Sequence, residues 1–96
     1  MSRSECLWVI SYDISENRQR RRVARQLEDV MTRVQFSVFE GRLSARRVEE
    51  LVGIIEQDLA GGDSLRVYSI GAVGERRCQV RGNGVPIDRN VGYWLL

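Results

Sequence analysis

The chain contains no lysine and no histidine, and these two absences exclude more chemistry than any other feature of its 96 residues. Without histidine there is no imidazole general base, no Ser-His-Asp triad and no histidine-ligated zinc. Without lysine there is no Schiff-base nucleophile and no P-loop lysine on a phosphate. Two cysteines, Cys6 and Cys78, are too few for a disulfide framework or a four-thiolate zinc site. Cys6, at the start of an apolar run, reads as a small hydrophobe. A reducing, cytoplasmic setting is the expectation. A single proline and 43% hydrophobic residues argue against a disordered chain. Apolar runs are short, so no transmembrane helix and no membrane partner are expected, and residues 1–5 are too polar for a signal peptide. Any catalysis falls to carboxylates, cysteine, tyrosine, arginine or a bound hard cation.

The charge that is present is unusual in kind. The 15 basic residues are all arginine, set against 13 acidic ones, for a formal net charge of +2. A GC-rich genome would produce the same excess, so position along the chain has to carry the reading. The length predicts one domain over residues 1–96, with a core at about 5–81 and a terminal segment at about 82–96. A chain this short gains stability from a partner more often than a larger one does.

Residues 7–12 form an apolar run ending at Asp13, too short for a helix, which predicts a central strand covered on both faces. A helix is expected from residue 18 to about 31, with Val23, Leu27, Val30 and Met31 at i, i+4, i+7 and i+8. Residues 33–43 are strand-like, as one bent strand or two short ones. Ser44 suits the N-cap of a second helix to about residue 59, with Val48, Leu51, Val52, Ile55 and Leu59 as its apolar stripe and Gly61-Gly62 ending it. Residues 65–73 and 76–80 read as paired strands. The order predicts an α+β, ferredoxin-like βαββαβ sandwich, helices on one side of the sheet. The apolar tail at 91–96 should pack at home or on a partner subunit.

At about 100° per residue, Arg18, Arg21, Arg22 and Arg25 share an outward sector of the first helix, with Arg20 nearer its inward side. Glu49, Glu50, Glu56 and Asp58 make the second helix acidic outside, and Arg46 and Arg47 near its start read as solvated or paired with Glu49 or Glu50. An arginine face of this kind is either a solvated helix surface with weak i,i+4 pairs or a phosphate-contacting ridge. Doubled in a two-fold dimer, the ridge would make binding fall roughly a thousand-fold across physiological salt. Asp13 ends the first strand just before this helix. It suits either an N-cap, with Glu16 at the capping-box position, or a carboxylate that holds Mg²⁺ or Mn²⁺ beside a phosphate ridge. One aspartate per chain is a poor divalent site, and two-fold symmetry would add a second copy.

Three stretches carry a family resemblance: Tyr12-Asp13-Ile14, the arginines at 18–22, and Arg33-Val34-Gln35-Phe36-Ser37-Val38-Phe39-Glu40-Gly41. Together they resemble the Cas-two family of CRISPR-associated proteins in detail over the first half of the chain, and in layout over the second. The resemblance implies a ferredoxin-like homodimer in which an additional C-terminal strand is exchanged with, or added to, the partner's sheet. It implies spacer acquisition, with the dimer bridging two Cas-one integrase dimers along a short duplex. It also implies a metal-dependent endonuclease acting on single-stranded RNA or duplex DNA. In that account Asp13 binds Mg²⁺ between the two subunits, and Tyr12, Arg20, Arg22, Arg33 and Phe39 stand at positions linked to nuclease function. Arg18 and Arg20 match positions that grip duplex DNA, and Arg21, Arg22 and Arg25 extend that surface. Two departures stand out: Phe36 replaces a frequent tyrosine, and Asn83-Gly84-Val85-Pro86 replaces an arginine pair before the late proline. A stand-alone toxin-like endoribonuclease of similar fold, and a catalytically inactive DNA-binding scaffold, are the alternatives.

Overall fold

A computed structural model describes residues 5–70 and 79–82. In chain order the elements are β1 (Cys6–Asp13), α1 (Asn17–Glu28), β2 (Thr32–Gln35), β3 (Val38–Leu43), α2 (Ala45–Glu56), β4 (Ser64–Ile70) and β5 (Gln79–Gly82). The strands form one sheet in the order β2-β3-β1-β4-β5, and every neighbouring pair is antiparallel. The first four give the ferredoxin-like α+β arrangement, and β5 extends it beyond β4. The terminal tail and the strand exchange expected of it lie outside the described residues, as do Cys78 and Trp94.

β1 is central because its alternate residues Trp8, Ile10 and Tyr12 are the ones its neighbours need on a shared face. Ile10 stands opposite both Phe39 and Val67, so three strands contribute to one apolar layer. The helices cover that layer with Val23, Ala24 and Leu27 from α1 and Val48, Val52 and Ile55 from α2. Trp8, 1% exposed, donates its indole N–H to the Leu43 carbonyl at 3.0 Å, which satisfies the one polar atom its burial would strand. The expectation that β1 is covered on both faces is corrected. Among the described residues both helices lie on one side, and Leu7, Val9 and Ser11 on the other are only half-buried.

Local chemistry sets the boundaries. α1 starts under Glu16, whose carboxylate accepts the Gln19 N–H at 2.8 Å, so Asp13 is not its N-cap. The helix ends at Glu28, sooner than the apolar spacing implied, yet Met31 still buries beyond it, held by its N–H to the Leu27 carbonyl at 2.8 Å. Residues 33–43 are two strands, with the β2–β3 register shifting between Arg33 and Gln35. Gly41 permits the close approach of β3 to the end of α1, since a Cβ there would lie 3.1 Å from Met31 Cγ. Ser44 caps α2 as expected, accepting the Arg47 N–H at 3.2 Å. Gly61-Gly62 does not end that helix, which stops at Glu56; Gly62, with φ of 93°, makes the later turn into β4.

Candidate functional site

The C-terminal end of β1, the β1–α1 connection and the β2–β3 turn come together at one edge of the molecule. Strand alternation turns Tyr12 toward the helices, where it is 5% exposed, and puts the exposed Asp13 on the opposite, open face of the sheet. Two interactions brace the connection after Asp13. The Arg20 guanidinium donates to the Ile14 carbonyl at 2.6 Å and the Ser15 carbonyl at 3.3 Å, and also to the Asn17 side chain. From the other side Asp63, 2% exposed, accepts the Ser15 N–H at 3.2 Å and the Ala60 N–H at 2.9 Å. Asp13 thus leaves a strand whose exit is held from both directions.

Beside it runs a groove of about 240 Å³, lined by Tyr12, Arg20, Arg21, Arg25, Arg33 and Phe36 together with Ala24 and Glu28. Four guanidinium groups against one carboxylate make it strongly electropositive. Arg33 lies 5.2 Å from the centroid of the Phe39 ring and 3.8 Å from Glu28, a loose and exposed pair. Phe39 itself is fully buried and stacks on Tyr12 with centroids 6.2 Å apart, so it supports the groove from beneath without reaching solvent. The Tyr12 hydroxyl donates to the Phe36 carbonyl at 3.4 Å, and the Tyr12 N–H to the Ser37 carbonyl at 3.1 Å.

The residues singled out from the sequence therefore separate. Tyr12, Arg20, Arg21, Arg25 and Arg33 meet in the groove, with Phe39 under it. The side chains of Arg18, Arg21 and Arg25 are exposed and make no hydrogen bond or ion pair with a described residue. Arg22 turns away, pairing with Asp58, two residues beyond the end of α2, at 3.3 Å. Glu56 likewise pairs with Arg81 of β5 at 2.9 Å and Glu50 with Arg46 at 3.6 Å, so the acidic face of α2 is partly consumed within the fold. Asp13 does not line the groove. Two residues outside the expected set of site residues shape it: Phe36, noted in the sequence only as replacing a frequent tyrosine, and Asp63, which was not singled out. For Phe36 the available signal was an aromatic in the tip of a hairpin. Asp63 carries no such signal, because an aspartate after Gly-Gly reads as an ordinary turn residue.

The fold and this edge define a class: small ferredoxin-like α+β domains that present an arginine groove on the helix side of an edge whose first strand ends in an exposed aspartate. A family model described as CRISPR associated protein Cas2 matches residues 6–77. The chain is 37% identical over 88 residues to a Chloroflexus aurantiacus protein named CRISPR-associated endoribonuclease Cas2 3, a match spanning 91% of this chain and 95% of that one. The fold resembles the crystal structure of a hypothetical protein from Thermus thermophilus, with a TM-score of 0.68, 34% identity and coverage of 88% and 98% of the two chains. It also resembles the crystal structure of Streptococcus pyogenes Cas2 at pH 6.5, with a TM-score of 0.63, 26% identity and coverage of 79% and 99%. The chain belongs to the Cas2 family of CRISPR-associated proteins.

Proposed function

We propose that the protein acts as a homodimer that holds nucleic-acid backbone on its arginine edges during CRISPR spacer acquisition, spanning two Cas-one integrase dimers along a short duplex. The observation that carries the reading is the set of exposed arginines Arg18, Arg21 and Arg25, which have no partner among the described residues. Unpaired guanidinium groups on a rigid helix are ready to take phosphate oxygens, and Arg21 and Arg25 converge with Arg33 in the groove. Guanidinium contacts to phosphate oxygens fix position and carry no sequence information, so the reading is one of backbone contact. Pairing of two copies is supported by the open sheet face, where Leu7 stands opposite the half-exposed Ile70 and Val9 opposite Tyr68. The segment at about 82–96 is the dimerisation element in this reading. Replacing Arg18, Arg21 and Arg25 by Glu should abolish duplex binding and flatten its salt dependence. Unchanged affinity and slope would remove the basis of the proposal.

A second reading, phosphodiester hydrolysis, is favoured by the exposed Asp13 on its braced strand end, and by the name endoribonuclease carried by the Chloroflexus aurantiacus relative. The carboxylate is the hard oxygen donor that Mg²⁺ or Mn²⁺ prefers, but it stands alone: no group of three or more His, Cys, Asp or Glu that could hold a metal occurs among the described residues. The donor type fits and the number is met only when a partner brings a second Asp13 across the two-fold axis. A cation held there would supply an acidified water and would offset the repulsion between the two carboxylates. Arg33, held only loosely by Glu28, meets the charge on the scissile phosphate, while Arg20 and Tyr12 keep the strand end and the hairpin turn in place. Asp13→Asn should eliminate Mg²⁺-dependent cleavage of RNA or duplex DNA and leave binding intact. Cleavage that survives it belongs to another site or to a contaminant.

A further inference from the structure

Phe36 is 70% exposed, the most exposed of the large hydrophobic residues among those described. It does not hang on a loose loop. The turn that carries it is pinned through the Tyr12 hydroxyl to its own carbonyl and the Tyr12 N–H to the next one, at 3.4 and 3.1 Å. Its ring is flanked by two guanidinium groups, Arg20 at 5.9 Å and Arg33 at 6.0 Å from the centroid. Arg20 is itself tied to two carbonyls of the β1–α1 connection and to Asn17 at the start of α1, so the flank is held as the ring is. The ring borders the arginine groove, whose volume of about 240 Å³ is on the scale of one nucleoside. Among the described residues the ring is not packed against the hydrophobic core. It has the composition of a stacking platform: a π-face for a base, charge at its edges and phosphate donors alongside.

We propose that Phe36 stacks an unpaired base while Arg21 and Arg25 take the adjoining phosphates, making the groove a site for single-stranded nucleic acid or a frayed duplex end. The site rests on the arginine contacts proposed above and adds a preference to them. Backbone contact alone does not distinguish paired from unpaired strands, whereas a base inside a duplex has both π-faces already occupied. Base–aromatic stacking tolerates any base, so the preference is for strandedness and not for sequence.

The test uses a short single-stranded oligonucleotide carrying one 2-aminopurine, and a blunt duplex of the same length, in EDTA so that neither is cut. Wild-type protein should change the 2-aminopurine fluorescence of the single strand. Phe36→Ala should abolish that change and weaken single-strand binding about 10-fold, with duplex binding unaltered. Phe36→Trp should retain both. An abasic nucleotide at the stacked position should weaken wild-type binding as much as Phe36→Ala does, and combining the two should cost nothing more. Equal losses on both substrates, no loss on either, or conversion of a dimer to a monomer in sedimentation would overturn the proposal. The triple Arg→Glu protein keeps the two readings apart. If it loses both substrates while Phe36→Ala changes neither, the stacking site fails and the arginine surface stands.

Discussion

Asp63 is the residue on which the geometry of the site edge should depend most for its size. Its carboxylate is 2% exposed and accepts two backbone N–H groups, Ala60 at 2.9 Å and Ser15 at 3.2 Å. The first closes the turn leading into β4, and the second crosses 48 positions of chain to hold the connection that follows Asp13. Hydrogen bonds to a charged acceptor contribute about 1.5–3 kcal/mol, and an N–H that loses its partner can recover part of this from water when it is near the surface. Both N–H groups are partly buried, so Asp63→Ala should cost about 3 kcal/mol in all. Asp63→Asn retains one acceptor oxygen and should cost about half of that. For a domain of this size a loss of 3 kcal/mol lowers Tm on the order of 15 °C. The measurement is urea unfolding at fixed protein concentration, followed by circular dichroism, with the m-value as a check that cooperativity is unchanged. A loss below about 0.5 kcal/mol for the alanine variant would refute the view that this carboxylate braces the strand end.

Two further substitutions test the packing and the charge arrangement. Gly41→Ala would place a methyl group 3.1 Å from Met31 Cγ and 3.2 Å from the Val30 carbonyl, so it should destabilise the fold by about 1–3 kcal/mol in the same urea titration. Asp58→Ala should change stability by less than about 1 kcal/mol, because its 3.3 Å partner Arg22 is 56% exposed. If α1 contacts phosphate as proposed, the same variant should tighten duplex binding at low salt, since it releases Arg22 from its carboxylate partner; anisotropy titrations over a salt series would detect this.

How much was legible in the sequence depended on the range of the interaction. Val48, Val52 and Ile55 could be assigned to the core from helical spacing alone, because their periodicity is a local property. The Ser44 cap was legible for the same reason: donor and acceptor are three residues apart. The break within residues 33–43 was not, because the irregularity arises from how β2 pairs with β3 and leaves no composition signal. Asp13 shows the limit more sharply. Its position at a strand end was readable, but its release from capping follows from Glu16 occupying that role. The arginine face of α1 was visible as a pattern, whereas the diversion of Arg22 to Asp58, 36 positions away, was not.

Residue type by itself decided which chemistries are open: with arginine the only cation and no imidazole, phosphate contact and a hard-cation carboxylate remain. The sequence also determined the two helices and the first strand in outline, since helix and strand periods are written in neighbouring residues, while their ends and the β2–β3 break were not. Tertiary structure alone decided which arginines are free, because pairing depends on acids brought in from distant parts of the chain. It also decided that Phe36 stands beside Arg20 and Arg33, which requires the β2–β3 turn to meet the start of α1 across the end of β1. Likewise the small size no longer stands as a deficit of core. The helices complete one face of the sheet, and the half-buried Leu7 and Val9 remain on the other, a division that alternation in an apolar run conceals and only the placement of both helices on one side reveals.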